Sequence, residues 1–405
     1  MRLRHALLCG AATLLLAACG TTTEVRDSPT MPPGATTPPA GEAPPPALPP
    51  VEERPPTPST VTPLPQPPAL TRRRIVDFIP ARAKDRPGWA RDIAEAFHDL
   101  AIDATPEAIC SVVAITEQES LFVADPPVPG LSKIVWKEIE TRRARYGVPQ
   151  LVLDAALATR GPDGRSYKAR IDALRTEREM NTLYQDMIAE LPLGTTLLAS
   201  RNPVRTGGPM QVSVAFAEDH ARAHGYPYPV ERSIRDEVFT RRGGMYFGIA
   251  ILLDYPAPYD DPVFRFADFN AGRYASRNAA FQKALSSLSG HRLAPDGDLL
   301  RYRDGKPAPD KSATRKAIDA IATKLDLSDW RIGRDLLREK AAEFNETRLY
   351  RRLFELADRK AGRRVERASI PRIQLKSPKI TRKLTTEWFA KRVRWRYDNC
   401  LARGR

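Results

Sequence analysis

From Thr71 to the C-terminus the apolar residues of this chain recur at helical spacing and rarely alternate with period two. The folded part is therefore expected to be built from helices, with little sheet. Spaced apolar positions with charged faces between them run over 89–102, 105–120, 132–146, 167–191, 210–224 and 234–255. Some 335 residues lie in this part, enough for a large core in one or two domains. Asp163-Gly164 and Asp296-Gly297 are turn signals, and the second is expected to close the central region.

The chain's first residues set where it works. Arg2 and Arg4 precede an apolar run through Leu14, Leu15 and Leu16, so residues 1–18 are expected to be a signal peptide rather than a domain. Leu16-Ala17-Ala18-Cys19 resembles the lipobox of bacterial lipoproteins. The resemblance implies a lipidated Cys19 and, with Gly20 following, an anchor on the periplasmic face of the outer membrane. Each buried methylene of an acyl chain contributes about 0.8 kcal/mol, so several chains on one cysteine hold firmly. Residues 19–70 are proline-rich and nearly devoid of branched or aromatic residues, which predicts an extended tether instead of a core. At about 3.1 Å per residue it would reach on the order of 150 Å.

Thr105-Pro106-Glu107 reads as a helix start, with a hydroxyl N-cap, proline at the first position and an acid in the first turn. The helix runs on through Ile109, Val112, Val113 and Ile115 into Thr116-Glu117-Gln118-Glu119-Ser120. Glu119 falls on the face of Ile115 and Val112, whereas Glu117 follows Val113. A carboxyl beside a core tends to keep its proton, because desolvation penalises the charged form. A general acid working on a glycosidic oxygen near neutral pH requires that property.

The stretch 114–122, Ala-Ile-Thr-Glu-Gln-Glu-Ser-Leu-Phe, resembles the Glu-Ser motif of the goose-lysozyme-like lytic transglycosylases, which cut the glycan of peptidoglycan. Gly208-Pro209-Met210-Gln211-Val212 is similar to that family's Gly-Leu-Met-Gln segment. Gly243-Gly244-Met245-Tyr246-Phe247 resembles its buttressing helix, and Ala267-Asp268-Phe269-Asn270-Ala271-Gly272 its Ala-Ala-Tyr-Asn-Ala-Gly segment. The four occur in the family's order over roughly residues 105–285. The resemblance implies a mainly α, lysozyme-like catalytic core over 71–295, with an insertion at about 125–205 and a basic helical region over 296–405. It implies Glu119 as acid and base, with Ser120, Met210, Gln211, Phe269 and Asn270 lining the sugar site. Gln211 and Asn270 would hold the N-acetyl group, since an amide both donates and accepts. Ser120 would orient the Glu119 carboxyl or touch the sugar. The product would carry a 1,6-anhydro-MurNAc end, with no water consumed and no second carboxylate needed.

Two departures from the family's pattern are plain. Phe269 stands where a tyrosine is usual, so a hydroxyl would have to come from Tyr246 or Tyr274. Asp268 replaces an alanine, and is expected to face solvent or else to serve a water-consuming variant of the reaction. About 90 residues separate Ser120 from Gln211, an insertion expected to hold two or three charged helices with Trp136 and Leu153 in their core. Three functions therefore stand open: a lytic transglycosylase, a hydrolysing muramidase, and a non-catalytic peptidoglycan-binding or envelope-scaffold protein.

Residues 301–405 hold about 30 Lys and Arg against 14 Asp and Glu, enough to account for the net charge of +15. These are either solvated helix faces or a surface for envelope anions; nucleic acid is not expected beyond the inner membrane. Peptidoglycan strands are the expected partner, with the membrane reached through Cys19. Of four cysteines, Cys110 and Cys400 remain once the signal and the lipid site are set aside, and an oxidising periplasm would allow them to pair. No His or Cys cluster has metal-ligand spacing, His220 and His224 being a lone i, i+4 pair, and no cofactor is expected.

Overall fold

The computed structural model describes residues 69–191, 193–303, 305–375 and 384–404, with only the backbone of 69–73. The signal segment, Cys19 and all but the end of the tether lie outside the described residues. Helix α1 (Ala69–Phe78) and α2 (Arg86–Asp99) lead to α3 (Pro106–Glu119). Its start follows the local code: Thr105 Oγ1 accepts from the Ala108 amide at 3.2 Å, and Pro106 holds the first position.

The insertion forms α4 (Leu131–Tyr146), α5 (Gln150–Leu157), α6 (Tyr167–Asp172), α7 (Glu177–Ala189) and α8 (Gly194–Leu198), more helices than the two or three expected. The single helix read over 167–191 is broken, because Thr176 and Glu179 close a capping box that starts α7 afresh. Leu153 is buried as expected. Trp136 is half-buried, and its indole N–H donates to Asp172 at 2.8 Å.

Strands β1 (Thr206–Gly207) and β2 (Val212–Ser213) pair antiparallel, Gly207 opposite Val212. Next come α9 (Val214–His224), α10 (Ile234–Glu237), α11 (Arg241–Leu253), α12 (Pro262–Ala271) and α13 (Ala275–Ser289). Thr240 caps α11, which divides the helix expected over 234–255. The fold is mainly α. Every strand described is two residues long, including the pairs β3 (Tyr302–Arg303) with β4 (Lys306–Pro307) and β5 (Gln374–Leu375) with β6 (Leu384–Thr385).

Two apolar cores result. The larger joins α1–α3, the insertion, α11 and α12. The smaller gathers Phe281 of α13 with Ile318 of α14 (Ala313–Asp319), then α15 (Ala322–Leu325), Leu336 of α16 (Asp329–Leu336), and Leu353 and Phe354 of α17 (Arg348–Ala361). Residues 296–405 divide between them, since α18 (Thr386–Arg403) returns to pack on α3 and α12 in the larger core.

The return is locked chemically. Cys110 of α3 and Cys400 of α18 form a disulfide, their Cα atoms 5.5 Å apart. One helical stretch further along, the buried Glu117 carboxylate receives Arg396 at 3.0 Å, Arg403 at 3.8 Å, and Arg82 from the segment before α2. Removing one partner of a buried ion pair leaves an uncompensated charge. Glu117→Ala is expected to lower unfolding free energy by about 3–5 kcal/mol in chemical denaturation, with Arg396 the charge left stranded. Reducing the disulfide should lower the same midpoint further.

Candidate active site

The two glutamates at the end of α3 lie two residues apart in opposite surroundings. Glu117 sits among arginines. Glu119 is half-buried, and among the described residues nothing donates a hydrogen bond or offers a cation to its carboxyl. Burial, and then the nearby Glu177 carboxylate, push Glu119 up to about 8. This is the state expected of a general acid.

The backbone turns abruptly once Glu119 is placed. Leu121 and Phe122 both adopt left-handed conformations, with φ of 55° and 63°. Each costs a non-glycine residue about 1–2 kcal/mol. Burial of Phe122 offsets part of that cost, its ring meeting Trp89 edge-on at 5.2 Å. Ser120 caps the helix, and its hydroxyl donates to Thr116 O at 3.1 Å. It is thus turned to its own helix and not, as the resemblance suggested, to the Glu119 carboxyl.

Gln211 comes to the site from the β1–β2 hairpin. It too is left-handed, with φ of 51°. Its Nε2 donates to Glu177 Oε2 at 3.0 Å, and its Oε1 accepts from Thr206 Oγ1 at 3.3 Å. Gln211 and Glu119 are therefore linked through Glu177, the first residue of α7. Sequence reasoning missed Glu177. The Thr176-x-x-Glu179 box would have placed it at a helix start, but nothing local shows that this helix aims at the end of α3.

Met210, expected in the sugar site, is fully buried. Glycines of α11 make room for the hairpin: a Cβ at Gly244 would overlap Pro209, and one at Gly248 would overlap Met210 Sδ. Met210 is a buried anchor that seats Gln211, and it has no exposed surface to offer a sugar.

Phe269 and Asn270 lie half-buried near the end of α12, which packs beside α3. Asn270 Oδ1 accepts from Thr386 Oγ1 at 3.0 Å, so α18 orients its amide. Asp268 corrects the expectation of a solvent-facing carboxylate. It is buried, takes the Tyr255 hydroxyl at 3.3 Å and the Tyr259 hydroxyl, and accepts the amides of Tyr274 at 3.0 Å and Ser276 at 2.7 Å. Burial pushes it up to about 6 despite these donors. With those bonds it organises the turn into α13, and so is not poised to activate water.

The two tyrosines offered in place of the missing hydroxyl are engaged elsewhere. The Tyr246 hydroxyl meets His220 Nε2 at 3.4 Å, and the Tyr274 ring lies under Arg277. Burial, and then His224, lower His220 to about 4. No group of three or more His, Cys, Asp or Glu among the described residues is arranged to hold a metal.

A family profile matches residues 82–403, from Arg82 to Arg403, both of them partners of Glu117. The chain belongs to the DUF1615 family. That family is described as a protein of unknown function. The chain is also 50% identical over 323 residues to "Uncharacterized protein YaiW" of Escherichia coli (strain K12), covering 80% of this chain and 87% of the relative. No solved structure matches it.

Two outcomes follow for DUF1615 chains of this geometry. Gly248→Ala should displace Met210 and cost about 1–3 kcal/mol in thermal unfolding, since overpacking a filled core is destabilising. Glu119→Gln should stabilise the fold increasingly as pH rises above 4.5. The native carboxyl binds its proton more tightly than the ordinary value of 4.5, so its contribution is complete below that pH and lost as pH rises through about 8. The variant is expected to match wild type below pH 4.5 and exceed it above pH 8 by about 2 kcal/mol, a figure reduced for the residue's remaining exposure.

Proposed function

We propose that this protein is a lipid-anchored peptidoglycan lytic transglycosylase that cleaves the MurNAc-GlcNAc bond and leaves 1,6-anhydro-MurNAc ends. The observation that carries this reading is Glu119, a half-buried carboxyl at a helix end that is unpaired among the described residues and that burial and Glu177 push up to about 8. In the proposed reaction its proton goes to the glycosidic oxygen as the bond to C1 breaks. The resulting carboxylate then takes the proton of the C6 hydroxyl, whose oxygen closes on C1. No cofactor or metal is required. Gln211 and Asn270 supply amides for the N-acetyl group, Asn270 keeping Nδ2 for a ligand while Oδ1 is bound to Thr386.

The Cys110–Cys400 disulfide supports an oxidising compartment, which agrees with a lipidated Cys19 and a tether reaching the wall from the outer membrane. The described helices include none long and apolar enough to cross a membrane.

A specific observation favours a second reading. Glu177 brings a second carboxylate to Glu119 from a separate element, as a muramidase that activates water would need. The test is digestion of purified sacculi, with released muropeptides weighed by mass spectrometry. Products lighter by one water than the reducing ends support the transglycosylase, and reducing muramyl ends support the muramidase. Glu119→Gln should lower release by about 10²–10⁴-fold under either reading. Sacculi bound without any release would point instead to a non-catalytic peptidoglycan-binding protein. Activity is expected to fall as pH rises through about 8, and Glu177→Gln should move that limb downward by removing a neighbouring negative charge.

A further inference from the structure

The first turn of α7 has two sides. Glu177 faces Gln211 and Glu119, while Arg178 and Glu179 line a cavity of about 710 Å³ built from the insertion. Four arginines line this cavity: Arg165, Arg170, Arg178 and Arg232. Two of its acids are committed to them. Asp163 pairs with Arg165 at 2.8 Å and Arg170 at 3.6 Å, and Asp186 pairs with Arg170 at 2.6 Å and Arg232 at 3.8 Å.

Among the described residues, one buried donor of a paired arginine and one exposed guanidinium remain without a partner. Arg170 is more than nine-tenths buried, yet its Nη1 has no hydrogen-bond partner among the described residues. A buried guanidinium normally has its donors satisfied. Arg178 is exposed, makes no ion pair among the described residues, and also lines the neighbouring cavity that runs past Ala124 toward Tyr228. On the acidic side Asp125 lines the cavity and accepts the Thr176 hydroxyl at 3.0 Å through Oδ2, which leaves Oδ1 for a cation. A cavity that offers a guanidinium without an ion pair beside a carboxylate with one oxygen unengaged suits a ligand that carries both charges. An arginine fork and an acid at fixed separation recognise such a ligand by paired, charge-assisted hydrogen bonds.

We infer that this insertion cavity binds the peptide branch of a peptidoglycan strand, Arg178 taking a free carboxylate of the branch and Asp125 its free ammonium group. The inference rests on the glycan-cleaving reading, because it makes the insertion the element that selects peptide-bearing strands for Glu119. The placement agrees with that. Asp125 is six residues beyond Glu119, and Arg178 directly follows Glu177.

The test has two arms. In the first, the free tripeptide L-Ala-γ-D-Glu-meso-diaminopimelic acid is titrated calorimetrically into the purified full-length protein. Wild type is expected to bind it. Arg178→Ala and Asp125→Asn are each expected to weaken binding about tenfold, as losing a charge-assisted bond would. Arg232→Ala, a lining residue already paired with Asp186, is expected to leave tripeptide binding unchanged, which separates loss of the site from a general loss of the fold. In the second arm, release from peptide-bearing sacculi is compared with release from strands stripped of peptide. The wild-type preference for peptide-bearing strands should fall about tenfold in Arg178→Ala. Absence of tripeptide binding by wild type, or binding that neither Arg178→Ala nor Asp125→Asn changes, overturns the inference whatever the enzyme does. Binding that follows these residues while no strand is cleaved upholds the peptide site and overturns the glycan-cleaving reading instead.

Discussion

The arrangement of the larger core depends on the clamp between α3 and α18. A chain that runs through a separate second core and then returns must hold its last helix against entropy, and Phe389, Ala390, Val393 and Tyr397 of that basic helix supply the apolar part of the contact. Glu117 and its three arginines supply charge pairing where the helices meet, and the Cys110–Cys400 bond closes the other end of the same contact. With both ends fixed, the last turn of α3 cannot fray. Helix ends ordinarily do, and a carboxyl placed on a fraying turn could not be kept out of water.

That rigidity explains how two glutamates of one helix come to differ so far. Arginines surround Glu117, whereas Glu119 has burial and a neighbouring carboxylate. Backbone strain is present at the same place. Leu121, Phe122 and Gln211 are all left-handed without being glycine, and they lie on the two segments that frame Glu119. Such conformations persist where surrounding packing overrides local preference: Phe122 on Trp89, and Met210 in the space left by Gly248.

Much of the local structure was legible. The N-cap of α3 and the helical spacing of Val112 and Ile115 follow rules that act within a few residues. The misread segments failed for local reasons as well: caps at Thr176 and Thr240 outweighed continuous apolar spacing and split two expected helices. Asp268 was misjudged for a different reason. Its partners Tyr255, Tyr259 and the amides of Tyr274 and Ser276 converge only when the turn after α12 closes around it.

The sequence by itself determined the helical class, the start of α3, and the place of Glu119 on the face of Ile115 and Val112, because periodicity and capping are short-range. Tertiary structure alone decided that Glu177 stands beside Glu119, that Gln211 is joined to it, and that Cys110 meets Cys400 across 290 residues. Those pairings join elements far apart along the chain. No spacing rule carries their distances, and only the closure of the larger core brings the groups within reach.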